Sequence, residues 1–265
     1  MKRTIATILA LVTLAGLQTA SAAGLASDNA ADTAYNDGWQ TGDNGGSGWG
    51  SGWTLYDYPT YAGYFVGTSQ NNGFNDGNID TSGRAWGEWA NGGAFAQATR
   101  FFSGTLSVGQ SFVIDVDNGL LDSGSWVGFT IGASSNPYTT DSFSFFFRGG
   151  ESTYKISNGG MFAIPYREAD TGVPFTSAGV HVEFTLTGTT SYSVAITPAG
   201  GSTTVLNGTL YNSDFDNVGL YNTHAGPGSD HDAFFNSIAI IPEPTTFALV
   251  GMGLLGAVAM RKWSS

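Results

Sequence analysis

The sequence predicts an all-β fold, a single antiparallel β-sandwich, on three observations. Short runs rich in Val, Ile, Thr, Phe and Tyr recur about every ten residues. Clusters of Gly, Asn, Asp, Ser and Pro punctuate them, and no stretch of the body carries a convincing helical period.

The chain opens with a separate element. Lys2 and Arg3 precede a 13-residue apolar stretch from Ile5 to Leu17, and Ala20 and Ala22 supply small residues in an Ala-x-Ala arrangement. This is the pattern of a secretory signal peptide over residues 1–22. An uncleaved anchor is the competing reading, but the stretch is too short to span a bilayer comfortably.

Residues 23–241 are long enough for one all-β sandwich and short for two domains with separate cores. They hold five basic residues (Arg84, Arg100, Arg148, Lys155 and Arg167) against 20 acidic ones. That balance excludes a phosphate-backbone partner, so no nucleic acid is expected. The whole chain has no cysteine, so stability in an oxidising compartment must come from packing rather than disulfides.

The first part of the body, "DGWQTGDNGGSGWGSGW", presents Trp39, Trp49 and Trp53, and "RAWGEWANGG" adds Trp86 and Trp89. Aromatic faces stacked on sugar rings are a usual way to hold polysaccharide, which makes these five candidate glycan-binding residues. The alternative, weighted more heavily for any single one, is that they plug the sandwich, because tryptophan supplies large burial per residue.

Strand-like runs follow: "YAGYFVG", "AFAQATRFF", "SFVIDVDNG", "SWVGFTIG", "SFSFFFRGG", "VHVEFTLTG", "SYSVAITPAGG", "STTVLNGTLY", "VGLYN" and "DAFFNSIAII". About ten to twelve strands in this rhythm fit a sandwich of jelly-roll or concanavalin-like type. In "VHVEFTLTGTTSYSVAIT", Val180, Val182, Phe184 and Leu186 alternate with His181, Glu183 and Thr185, and the polar turn leads to Tyr192, Val194 and Ile196. The pattern predicts a hairpin with one core face and His181 on the wet face.

Asp115 and Asp117 are two apart on a predicted strand, about 7 Å from each other on one face. They are the chain's weak calcium candidates, although "DVDNG" departs from the calcium-loop pattern. Exposed carboxylates entering a turn is the reading given more weight. His224 and His231, with Asp230 and Asp232, fall in no spacing that specifies a transition metal. No cofactor is expected beyond such structural calcium. No nucleophile elbow, acid–base pair or Ser/His/Asp order can be located, so no catalytic residue is assigned.

The last element begins at Pro242, Glu243 and Pro244. From Phe247 to Met260 run 14 residues without a charge or polar side chain, and Arg261 and Lys262 follow. This reads as a membrane segment, about 246–260, with a cytoplasmic basic stop. Fourteen helical residues cover only about 21 Å of a hydrocarbon core of about 30 Å, so Thr245, Thr246 and Trp263 are recruited. A buried core helix fits less well, because the run is apolar on every face and basic on one side only. "GMGLLG" inside it matches a dinucleotide-loop spacing but lacks the strand before it.

In triplet, apolar run and basic end, residues 242–265 resemble the PEP-CTERM sorting tail of exported proteins in Gram-negative bacteria. The resemblance implies recognition of Pro242, Glu243 and Pro244 by an exosortase, a membrane-embedded cysteine protease. It also implies removal of the tail and delivery from the inner membrane to the cell surface or an exopolysaccharide matrix. The departures are the shortness and glycine content of the apolar run. Three roles follow for the body: a non-catalytic envelope or matrix protein that binds polysaccharide, a secreted glycan hydrolase or lyase, or an anchored surface protein whose tail is never cut. The first is the expectation.

Overall fold

A computed structural model describes residues 25–132, 142–159, 168–211 and 215–242. The signal segment, Glu243, Pro244, the apolar run, Arg261 and Lys262 lie outside these residues, as do the two helices expected there. In chain order the strands are β1 (Ala26–Asp28), β2 (Thr54–Tyr58), β3 (Ala62–Gly67), β4 (Ala85–Ala90), β5 (Phe95–Phe101), β6 (Gln110–Asn118), β7 (Trp126–Ile131) and β8 (Phe143–Arg148). They continue as β9 (Thr153–Ser157), β10 (Glu168–Pro174), β11 (Val180–Leu186), β12 (Ser191–Pro198), β13 (Thr204–Thr209), β14 (Asn217–Thr223) and β15 (Ala233–Pro242). Three 3-10 turns are the only helical pieces among the described residues.

Two antiparallel sheets face each other. The first runs β13-β12-β11-β6-β15-β4-β3, with β1 also on β15, and the second runs β10-β9-β8-β7-β14-β5-β2. The alternation in the sequence decides which side is inside. Val180, Val182, Phe184 and Leu186 of β11 and Phe112, Ile114 and Val116 of β6 are buried, facing Val127, Phe129 and Ile131 of β7 and Phe143, Phe145 and Phe147 of β8. Rings lock across the gap, with Phe143 and Phe184 centred 4.7 Å apart and Phe112 and Phe129 5.7 Å apart. The predicted hairpin holds, Val180 to Leu186 pairing with Pro198 to Tyr192.

Of the strands absent from the expectation (β1, β2, β4, β9 and β10), β4 and β10 have local causes. In β4 the outward residue Gly87 sits under Phe65, where a Cβ would lie 2.2 Å from the ring, and the inward Glu88 interrupts the apolar period. In β10, Thr171 and Val173 face in, flanked by exposed Asp170, Gly172 and Pro174, a pattern that reads as loop.

The register gives the sandwich two distinct ends. Pro242 pairs with Gln110, and Ala26 with Ile240, so the first described strand and Pro242 share one end. At the other, Ala233 pairs with Asn118 and Glu88, and Ala62 with Ala90.

Candidate functional site

The five tryptophans separate into groups. Trp39, Trp53 and Trp86 are buried, and their rings cross edge-on or tilted at centroid distances of 5.2–5.9 Å. No ring face of these three reaches solvent, which removes them as glycan-binding residues. Next to Trp53, 5.4 Å from its ring, is Arg100 on β5, fully buried and ion-paired with Asp28 of β1. Its guanidinium also donates to Asn44 Oδ1 (2.7 Å) and the carbonyls of Gly45 (2.8 Å) and Ser51 (3.1 Å). The glycine-rich segment is thus wrapped round one cation. Trp49, half-buried, lies over the same guanidinium at 4.7 Å.

Trp89 is different. It projects from the outer face of β4 over Gly63, its partner in β3, where a Cβ would meet the indole at 2.8 Å. Only glycine lets the ring lie on the strand. Beside it Phe65 stands edge-on to Phe234, at 5.7 Å and 89°. Trp89 and Phe65 wall an open cleft of about 330 Å3, completed by Asn91, Gly228, Ser229 and Asp232. The backbone N–H of Asn91 donates to the carbonyl of Tyr61 (2.9 Å), a tyrosine that is 63% exposed. Burial, reinforced by the neighbouring Asp230 carboxylate, pushes the Asp232 carboxyl up to about 7, against the lowering influence of His231. At neutral pH this carboxyl therefore both donates and accepts hydrogen bonds. Aromatic faces, an amide and a half-protonated carboxyl in a shallow cleft are groups suited to a polyhydroxylated ligand.

A second cleft, of about 350 Å3, opens on the same outer face between β6, β11 and the residue 78–80 segment. There His181, exposed as expected, engages Asp115 through Nδ1 at 2.7 Å, and that contact chiefly raises its pKa. Asp117 is a correction: it is fully buried rather than exposed. The residue 68–80 segment folds over it, Asn72 Nδ2 donating to both carboxylate oxygens at 3.2 and 3.3 Å. Burial pushes its carboxyl to about 7, and the Asp76 and Asp80 charges add to the rise. Among the described residues no group of three or more His, Cys, Asp or Glu side chains is placed to hold a metal ion. The calcium candidates Asp115 and Asp117 thus gain no third acidic or imidazole ligand there. His224 lies away from the cleft wall in a left-handed conformation (φ 58°), while His231 bonds Asp230 at 3.0 Å and faces Asp122 at 3.6 Å.

The sequence singled out Trp89 but not Phe65, Tyr61, Asn91 or Asp232 as its companions. The signal present was the aromatic density of "YDYPTYAGYF", which strand patterning alone reads as edge.

Comparison with known proteins adds two findings. Residues 241–262 match the PEP-CTERM protein-sorting motif, and such a motif implies export and exosortase processing. The fold resembles that of a carbohydrate esterase from the Shiga toxin-encoding bacteriophage phi24B, with TM-score 0.51 and 15% identity over 84% of this chain and 99% of that one. A legume lectin-like domain from Entamoeba histolytica gives TM-score 0.44 at 12% identity over 68% and 89%. Domain 4 of an extracellular arabinanase from Geobacillus stearothermophilus, in complex with arabinotriose, gives 0.46 at 14% over 84% and 94%. At these identities the likeness is one of fold. No curated protein matches the chain in sequence.

Proposed function

We propose that this chain is an exported, exosortase-sorted protein of a Gram-negative cell surface or extracellular matrix, whose sandwich is a non-catalytic polysaccharide-binding body. The observation that carries the binding role is Trp89 laid on Gly63, its ring open to a shallow cleft beside Phe65, Asn91 and Asp232. The strongly acidic surface turns away other polyanions, so a neutral glycan chain fits best.

A panel of immobilised polysaccharides tests this. Trp89→Ala is expected to weaken binding about tenfold or more, equivalent to about 1.4 kcal/mol, with an unchanged Tm. A panel with no binder, or a variant that binds as well as the parent, rejects the cleft.

A second reading, a glycan hydrolase or lyase, is favoured by one observation, the raised carboxyl of Asp232 next to Asp230. A general acid has this character. Release of reducing sugar by the parent and its loss in Asp232→Asn would replace the binding reading with the catalytic one.

A further inference from the structure

The two sheets run out in four outer strands, β13 and β3 of the first and β10 and β2 of the second. Three of them are blunted. β2 carries Asp57 and runs into Pro59, while β10 carries Glu168 and Asp170 and shifts register before Pro174. No residue of β3 is exposed. Charge, proline, irregularity and cover are the usual means of keeping a free edge from pairing with another chain. β13 has none of them: its six residues hold no charge, no proline and no register shift, and Val205, Asn207 and Thr209 are exposed.

The ladder with β12 settles which backbone groups of β13 are free. Ser191 to Ile196 pair with Thr209 to Thr204 without a break, and one step beyond, the Leu210 N–H donates to the Thr190 carbonyl at 2.7 Å. Successive residues of an antiparallel strand turn their N–H and C=O alternately to either side. Leu210, Gly208, Leu206 and Thr204 therefore bond β12, and Val205, Asn207 and Thr209 turn theirs outward. On that side β13 has no partner strand among the described residues.

This spacing is self-complementary. A second copy turned about a two-fold axis at Asn207 sets Asn207 against its own counterpart and Val205 against the copy's Thr209, and the reverse. All three are pairs of outward-turned residues, so each exchanges two backbone hydrogen bonds, about six in all. Between them Leu206, which packs on the core, comes opposite the copy's Gly208. There a Cβ would lie 2.5 Å from the Tyr192 ring, so the leucine meets an aromatic surface rather than a competing side chain.

Charge also points to a second copy. Two bodies of net charge −12 repel each other, and they can join only where that repulsion is weakest. No Asp, Glu, Lys, Arg or His lies between Glu183 and Asp214, so the β12–β13 hairpin brings no charge to the edge. Glu183 is on β11, two strands in. Across a joined sheet it and its counterpart stand about five strand spacings apart, roughly 24 Å or more, against a Debye length of about 8–10 Å.

We infer that β13 is a self-pairing edge, through which two copies of this chain join β13 to β13 in one continuous sheet. The two-fold pairing consumes this edge in both copies, so association through it stops at the dimer. Six residues a side make a small contact, at the weak end of specific interfaces.

Because the chain has no cysteine, single thiols report the contact. Asn207→Cys, Val205→Cys and Ser229→Cys of the whole chain are treated with a mild oxidant in the same detergent solution. In the dimer the two Asn207 Cα atoms lie about 5.5 Å apart, within disulfide reach, whereas the two Val205 are offset by about 14 Å along the strands. Ser229 is exposed and lies off the edge. Chance encounters and any association through the apolar tail act on all three alike. Asn207→Cys is expected to cross-link at least tenfold faster than either of the others. A rate no higher than that of Ser229→Cys, or equal rates at Val205 and Asn207, overturns the pairing. In a second variant, Asn207→Pro, the lost N–H is one that its own sheet does not use. It is expected to weaken dimerisation at least tenfold in sedimentation equilibrium, and a dimer as tight as the parent's rejects the edge.

Discussion

Trp53 and Trp89 both stand in glycine-containing segments, and the structure gives them opposite fates. Trp53 donates its Nε1–H to the Tyr35 hydroxyl at 3.1 Å and is 1% exposed, whereas Trp89 rests on a neighbouring glycine with its outer face open. Trp53→Ala is therefore expected to cost about 3–5 kcal/mol in denaturant unfolding, unlike Trp89→Ala. The carboxyls carry a different prediction. Asp117 titrates near 3.9 in the unfolded chain and about 7 in the folded one, so between those values the folded state holds more protons. Stability then falls as pH rises from about 4 to about 7, by up to about 1.4 kcal/mol per pH unit for this group. Asp117→Asn should flatten that slope in chemical denaturation series, without abolishing it, because Asp232 is raised in the same way. An unchanged slope would mean that Asp117 is ionised and solvated in the fold. Glu88 belongs to the same class: it is fully buried, and burial holds the carboxyl well above the usual range.

At the scale of elements, β15 organises the first sheet. It pairs with β6, β4 and β1, and its register shifts between Asn236 and Ala239, with Ser237 in the left-handed region at φ 52°. The bulge frees the Asn236 side chain to act as a clamp. Its Oδ1 accepts from Ala30 N–H at 3.0 Å, while Nδ2 donates to the carbonyls of Ile79 (2.7 Å) and Arg84 (3.0 Å). Asn236→Ala is expected to cost about 1–3 kcal/mol for each buried partner left unpaired, measured as a loss in unfolding free energy. The apolar content of "DAFFNSIAII" was enough to predict a strand, but not the bulge, because an asparagine serving three loops looks the same in sequence as an exposed one. Likewise β6 was legible from Phe112, Ile114 and Val116, while the burial of Asp117 was not. That depends on Asn72, 45 positions earlier, lying across its outer face.

Across the whole molecule, the chain closes on itself. β1 begins at Ala26 and pairs with the last strand, and Asp28 within it neutralises Arg100 of the other sheet. Both charges are buried, so Asp28→Ala orphans a guanidinium as well as the Tyr35 hydroxyl, which donates to the same carboxylate. The expected loss is about 3–5 kcal/mol, and a loss below about 1 kcal/mol would show that water reaches Arg100 in the variant. Such closure also polarises the sandwich, with Pro242 at one end and the aromatic cleft at the other.

Sequence alone determined that strands form, which faces of β11 and β12 turn inward, and that a PEP-CTERM motif lies at residues 241–262. Each is written in local periodicity or in a contiguous motif, so neighbouring residues carry the information. Tertiary structure decided which tryptophan is core and which is open, and which carboxyls are buried. It also decided that Phe65, Trp89, Asn91 and Asp232, spread over 168 positions, meet in one cleft. These outcomes depend on what another segment lays over a side chain, and period and composition do not encode that.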